Sequence, residues 1–246
     1  MTLKYYVGSI FKICIAGIGF GLAFYTAIKF TLFLSDPNYT ISHSTLRGGW
    51  FKHSWSLFIN MCLLSTFILL HSLMAHHTFK QMLGSYITDI QRSIYVITTA
   101  LSIQLLLRYW HVIPDIVLWK FTLKSSPVLW IYCIIHATFW LLIYVGCICV
   151  DINELLGIKQ VYYKLKGLPD PLSQKSYQLR KLYGHMRHPG FSSLSAILWI
   201  TPIMSLDRLL LATVLTLYMY IAWNTDHDDY QYQYVQNKRK FYELNY

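Results

Sequence analysis

The sequence predicts an all-α fold, a polytopic transmembrane helical bundle of about six spans, and three observations carry that prediction. Of 246 residues, 55% are hydrophobic and only 13% are charged, and the mean hydropathy is positive at +0.38. The apolar residues gather in runs, most of them long enough to cross a hydrocarbon layer of ~30 Å. The basic residues lie mainly between those runs and on one side of the predicted bundle. This balance excludes an ordinary soluble domain. Internal repeats, low-complexity segments and a separate soluble domain are not evident, so a single integral domain is expected over residues 1–246.

The first span is expected at about 13–34. No small-residue cleavage site follows it, which makes it a retained span rather than a signal peptide. Gly17, Gly19 and Gly21 give it a small-residue face that would let another helix approach closely. Lys29 near its far end can snorkel. Asp36 and Pro37 break the pattern, and Asn38-Tyr39-Thr40 forms a sequon that matters only in a luminal loop.

Further spans are expected at about 55–76, 93–110 and 128–150. Gln104 and Arg108 lie near the far end of the third, and Pro114 follows as a terminator. Two shorter runs, about 191–204 and 209–223, are separated by Ser205-Leu206-Asp207-Arg208. At ~1.5 Å per residue they fall short of the hydrocarbon thickness or barely reach it, and so form tilted spans or a short hairpin, with spans preferred.

Six crossings put the N-terminus, the 77–92 loop, the 151–190 loop and the C-terminal tail together. That side carries fourteen Lys and Arg against six on the other. The bias predicts that both termini are cytosolic or nucleoplasmic and that Asn38 is luminal. The formal charge of +10 is spread over short loops rather than gathered on one face, so direct nucleic-acid binding is not expected and membrane lipid is the natural partner. All five cysteines lie in apolar segments without paired spacing, and are expected to be small packing residues rather than disulfides or metal ligands.

The basic loop 151–190 holds seven Lys and Arg against Asp151, Glu154 and Asp170. It reads as a short helix, a turn at Gly167-Leu-Pro-Asp-Pro171 and a second basic helix from about Ser173. Its last part, Lys181 to Gly190, concentrates His185, Arg187, His188 and Pro189 at the mouth of the run that opens at Phe191. Proline biases His188 away from the α region and marks a helix start. Cations held there suit an anionic headgroup or a cofactor carboxylate; the plainer alternative is a positively charged membrane flank.

Two imidazoles, His71 and His136, fall inside spans, where polar groups are costly. They are candidate haem ligands, or else they hydrogen-bond to Gln104, a serine or a neighbouring carbonyl and help the helices pack. In the tail, Asp226-His227-Asp228-Asp229 resembles a metal cluster, but the alternating Tyr230-Gln-Tyr-Gln-Tyr234 after it suits an interfacial aromatic segment, and no metal site is expected.

Several motifs in order resemble the nurim family of inner nuclear membrane proteins: His71-Ser-Leu-Met-Ala75, Arg92-Ser-Ile-Tyr95, Asp151-Ile-Asn-Glu through Tyr163, Gly167-Leu-Pro-Asp-Pro-Leu172, Arg187-His-Pro189 and Asp207-Arg-Leu-Leu-Leu-Ala212. The resemblance runs from about residue 65 to the tail. It implies a multi-pass resident of the inner nuclear membrane with nucleoplasmic or cytosolic termini. That family is in turn remotely similar to isoprenylcysteine carboxyl methyltransferase and a bacterial methanethiol methyltransferase, and to relatives of a haem-containing carotene isomerase. In the methyltransferases an Arg-His-Pro-x-Tyr-x-Gly loop and a later acidic, glycine and tyrosine segment enclose S-adenosylmethionine.

Carried over by position, Arg187, His188 and Pro189 match that loop, while Phe191 stands at the tyrosine position and Ser193 at the glycine position. No glycine follows Gly190, so the second segment would rest on Asp228, Asp229 and Tyr230. The resemblance implies Arg187 at the cofactor carboxylate, His188 fixing the loop, and Asp228 or Asp229 on the ribose hydroxyls, with a small thiol or lipophilic molecule as substrate. Two functions follow: a non-enzymatic envelope protein, or a methyltransferase with a degenerate cofactor motif.

Overall fold

The computed structural model describes residues 3–37, 49–82, 87–121, 126–171, 173–175, 190–222, 234 and 238. Helix α1 covers Leu3–Ser35, α2 Trp50–Ala75, α3 His77–Met82 and α4 Gln91–Tyr109. Strand β1 is Val117–Lys120, followed by α5 at Ser126–Cys149, α6 at Ile152–Leu155 and α7 at Ile158–Leu165. The last third contains α8 at Phe191–Trp199, strand β2 at Ile203–Ser205 and α9 at Leu206–Ala222.

Among the described residues, three helices are long and apolar enough to cross a membrane: Tyr6–Ser35 within α1, Trp50–Ala75 and Pro127–Cys149. Their outward faces are apolar, as Phe11, Ile18, Leu69, Trp130 and Leu141 illustrate, which suits hydrocarbon and not water. The expected third span corresponds to α4, whose 19 residues include Gln104 and Arg108. The expectation for residues 191–204 needs correction. Helix α8 has nine residues, about 13 Å of rise, and ends at Trp199, where the chain becomes extended. It cannot span alone, and the α8–β2–α9 unit is a broken hairpin.

Helix α1 lies parallel to α4 and along it. Lys12 meets Asp89 at one end, Gln104 donates to Thr26 midway, and Phe33 packs edge-on against Trp110 at the other end. Of the four glycines in α1, Gly19 makes the close approach: a Cβ there would sit 3.4 Å from the Ser93 carbonyl and from Ile97, while Gly8, Gly17 and Gly21 face open space. Lys29 folds back over the Tyr25 ring.

Where α4 ends, Asn60 on α2 clamps the departing chain. Its Nδ2 donates to the His111 carbonyl at 2.7 Å and its Oδ1 accepts from the His111 amide at 2.9 Å. The chain then runs into β1, which pairs antiparallel with β2 in the register Val117↔Ser205, Trp119↔Met204 and Lys120↔Ile203. Flanking bonds from the Phe121 amide to the Pro202 carbonyl and from the Leu206 amide to the Ile116 carbonyl extend the ladder. The main core sits beneath it and joins α1, α2, α4, α5, α8 and α9 through Phe33, Leu64, Leu106, Trp140, Ile197 and Leu211, among others. A smaller cluster of Ala16, Ile90 and Val161, with Ile158 and Leu165 against it, seats α7 on α1 and on the approach to α4.

Cys14, Cys62, Cys133 and Cys149 are exposed on the outer faces rather than packed inside, and Cys147 is half-buried.

Candidate functional site

The residues that the resemblance implies for a cofactor, Arg187, His188, Pro189, Asp228, Asp229 and Tyr230, lie outside the described residues, as do His185, the Asn38 sequon and Asp226. The structure takes up the chain again at Gly190, which is packed so closely on α5 that a Cβ would come within 3.2 Å of Ile143. The start of α8 at Phe191 agrees with the helix start read from Pro189.

His136 is buried in the middle of α5 and forms a relay. The Trp140 indole N–H donates to Ser35 Oγ at 2.8 Å. That hydroxyl spends its own proton on His136 Nδ1 at 2.9 Å, which leaves Nε2 as the protonated nitrogen, donating to the Ile200 carbonyl at 2.7 Å. The Tyr132 hydroxyl completes the junction on the Ser35 carbonyl. The serine and the carbonyl foreseen as partners are present; Gln104 is engaged elsewhere, with Thr26. Since Ser35 closes α1 and Ile200 follows α8, one imidazole joins three segments.

His71 on α2 has Tyr95 Oη at 2.9 Å from Nε2 and Thr99 Oγ1 at 3.2 Å from Nδ1. Phe67, Tyr95 and Tyr218 surround its ring, and Ser72 bonds the Tyr218 hydroxyl at 3.1 Å. Both ring nitrogens of His71 and of His136 therefore have hydrogen-bond partners within the bundle. No group of three or more His, Cys, Asp or Glu that could hold a metal occurs among the described residues.

The most buried charges are Asp207 and Arg208, which open α9 directly after β2. Asp207 accepts from the Trp110 indole and from the Ile113 amide, each at 3.0 Å. Arg208 donates to the Phe33 carbonyl at 2.7 Å, satisfying an orphan acceptor at the end of α1, and its guanidinium lies 4.5 Å over the Phe33 ring. Sequence reasoning treated this pair as a separator between two runs. Its signal was present all the same: adjacent charges flanked by runs too short to span mark irregular backbone inside a bundle.

At the end of the bundle nearest the N-terminus, the 151–175 segment is a folded plate rather than a simple loop. Asp151 takes a φ of +70°, uncommon for a residue with a Cβ, and caps α6 by accepting from the Asn153 and Glu154 amides. Its other oxygen accepts from Lys159 at 2.6 Å. Glu154 faces Lys175 at 2.8 Å, with both side chains largely buried. Arg92 donates to the Leu155 carbonyl and lies over Tyr95. Gly157, with a φ of +88°, lets the plate touch the first turn of α4: a Cβ there would be 2.6 Å from Ser93 Oγ and 2.7 Å from Ser93 N. The expected second basic helix from Ser173 falls largely outside the described residues.

The hydrogen bond from Lys159, aided by the cap amides, holds the Asp151 carboxyl below the usual carboxylate range, and the same bond raises Lys159. A depressed carboxylate stabilises the fold above its ordinary unfolded-state pKa, ~3.9, and loses that contribution as pH falls through the lower folded value. A raised lysine contributes fully below its ordinary ~10.4 and is lost at higher pH. Thermal stability in detergent is therefore expected to carry no contribution from this pair to its slope between about pH 5 and 9, and Asp151→Asn to lower stability evenly across that window while reducing the loss below about pH 4. A wild-type-minus-variant difference that changes between pH 5 and 9 would contradict the pairing.

Comparison with known proteins decides the family. The chain is 38% identical over 242 residues to mouse nurim, with 92% of each chain aligned, and 39% identical over 245 residues to a nurim homologue of Drosophila pseudoobscura, again with 92% of each. The chain belongs to the nurim family. Human nurim is 42% identical over 188 residues, covering 74% of this chain and 71% of that protein. No family model matches the chain, and no solved structure does. The chain is thus a nurim-type polytopic membrane protein, and the similarity to nurim spans most of its length, beyond the motifs in which it was first legible.

Proposed function

We propose that this nurim-type chain is a non-enzymatic resident of the inner nuclear membrane, crossing it six times with both termini in the nucleoplasm and retained by dense packing of its spans. The observation that supports this reading is the use made of polar groups inside the bundle. His136, Asn60, Gln104, Asp207 and Arg208 all bind another segment of the same chain, as structural glue does. The excess of Lys and Arg in the loops beside the N-terminus supports the orientation. The fifth crossing is the broken one, with α8 starting beside Ile143 of α5 and the chain reaching the far end at β2, against β1, and α9 makes the sixth.

Epitope tags at each terminus, each carrying a glycosylation acceptor that would be modified only in the lumen, test location and orientation together. Both are expected to be hidden from antibody when digitonin opens only the plasma membrane, and to stain a nuclear rim when the nuclear membranes are opened as well. Staining in digitonin alone would overturn the nucleoplasmic assignment. The enzymatic alternative is tested by calorimetry with S-adenosylmethionine on the purified chain. Micromolar binding by the wild type that is lost in Arg187→Ala and Asp229→Ala, each shown to be folded, would replace the structural reading.

A further inference from the structure

We propose that α7 and the turn that follows it form a binding site for the headgroup of an anionic phospholipid, with Lys164 and Lys166 as its cationic arms and Tyr162 and Leu168 as its interfacial foot. The proposal goes beyond residence in the membrane and shares with the functional reading only the orientation, because the acidic leaflet faces cytosol or nucleoplasm.

The helix is built for an interface. Ile158, Val161 and Leu165, spaced at i, i+3 and i+7, turn inward on α1 and α4. Left-handed glycines bound it on both sides, Gly157 with a φ of +88° and Gly167 with a φ of +68°, so it forms a discrete element at the edge of the spans. Its inner face is anchored at the level of Lys12 and Asp89, where α1 leaves its apolar stretch.

The outer face combines bulk and charge. Tyr162 is 53% exposed and Leu168 45% exposed, an aromatic and an aliphatic group of the kind found at headgroup level. The Lys164 side chain is 65% exposed, and Lys166 is exposed next to it. The acids nearby do not balance the cations. Asp89 is shared by Lys12 at 2.6 Å and Lys164 at 3.6 Å, Asp151 is occupied by Lys159, and Glu154 by Lys175. With Asp170 counted as well, the plate and the residues it packs on hold four carboxylates, Asp89, Asp151, Glu154 and Asp170, against six Lys and Arg. Charge complementarity therefore selects a phosphate-bearing, net anionic headgroup over a zwitterionic one.

The test uses the full chain in nanodiscs of phosphatidylcholine doped with spin-labelled lipid. Labelled phosphatidylserine is expected to show a motionally restricted, protein-bound fraction with several-fold preference over labelled phosphatidylcholine, weakened by salt. Lys164→Gln with Lys166→Gln should remove most of that preference, since each lysine near an acidic surface adds to it. Lys120→Gln, on β1 at the opposite end, should leave it unchanged. Equal affinity of the wild type for the two lipids, an unaltered preference in the double variant, or displacement of the labelled lipid by millimolar inorganic phosphate would each overturn the proposal. Because the orientation is fixed independently by the epitope tags, failure here can be told apart from failure of the functional reading.

Discussion

Asp207→Asn is expected to lower the thermal midpoint of the detergent-purified chain by about 4–16 °C, the shift that a loss of roughly 2–4 kcal/mol causes in a chain of this size. The carboxylate accepts two hydrogen bonds, from the Trp110 indole and the Ile113 amide, with no solvent exposure. An asparagine of the same shape has one acceptor oxygen, so it must turn an NH₂ toward one of those donors. A buried donor left unpaired costs far more than the net value of the bond it made. Asp207→Ala removes both acceptors and should be the more severe, so the graded comparison of Asn with Ala remains readable even where Ala fails to fold. Size-exclusion profiles after heating would measure it, and an Asn variant as stable as the wild type would show that Asp207 is not the pin of the broken hairpin.

Gly157→Ala should be comparably damaging for a different reason. An L side chain in the left-handed region costs roughly 1–2 kcal/mol, and at Gly157 its Cβ would also fall 2.7 Å from a backbone nitrogen that cannot swing away. The whole first turn of α4 must shift from the plate. Gly167→Ala is the matched control: it has the left-handed φ of +68° and open space around the missing Cβ, so it should pay only the conformational cost. Removing the hydroxyl with Ser93→Ala should fail to rescue Gly157→Ala, because the Ser93 amide remains in the way. Stability in the order wild type, Gly167→Ala, Gly157→Ala is the expected result. Equal effects at both glycines would mean that backbone conformation alone matters and that the close contact does not.

These two sites also mark where the sequence was readable and where it was not. Long uniform runs announced α1, α2 and α5, because hydropathy over twenty residues outweighs any local propensity. The starts of α8 and the end of α4 were legible too, from Pro189 and from Pro114 beyond Tyr109. What the sequence concealed is pairing at a distance. Nothing local in Val117–Lys120 or Ile203–Ser205 identifies them as partners, since each is short and apolar and the ladder exists only when two loops are brought together. Hydropathy assigned residues 191–204 to one run for the same reason: it reports burial, which helix and extended backbone share. The histidines divided differently. That His136 would need a partner followed from its place inside a span, but that Ser35 and Ile200 supply it depends on how three segments meet. Asn60 gave no signal beyond being polar in an apolar run, although it holds the chain leaving α4.

The pairing of β1 with β2 has a consequence for the order in which the chain can be assembled at the membrane. Phe33 at the end of α1, Trp110 after α4 and His136 in α5 all wait for partners that lie beyond residue 199. Translation therefore delivers the earlier spans to the bilayer well before their polar groups can be satisfied, and the final hairpin acts as the closing stitch of the insertion process. A chain that ends ahead of Ile200 lacks the acceptors of the His136 Nε2–H and the Trp110 indole and the donor to the Phe33 carbonyl, so the bundle is integrated yet unlocked.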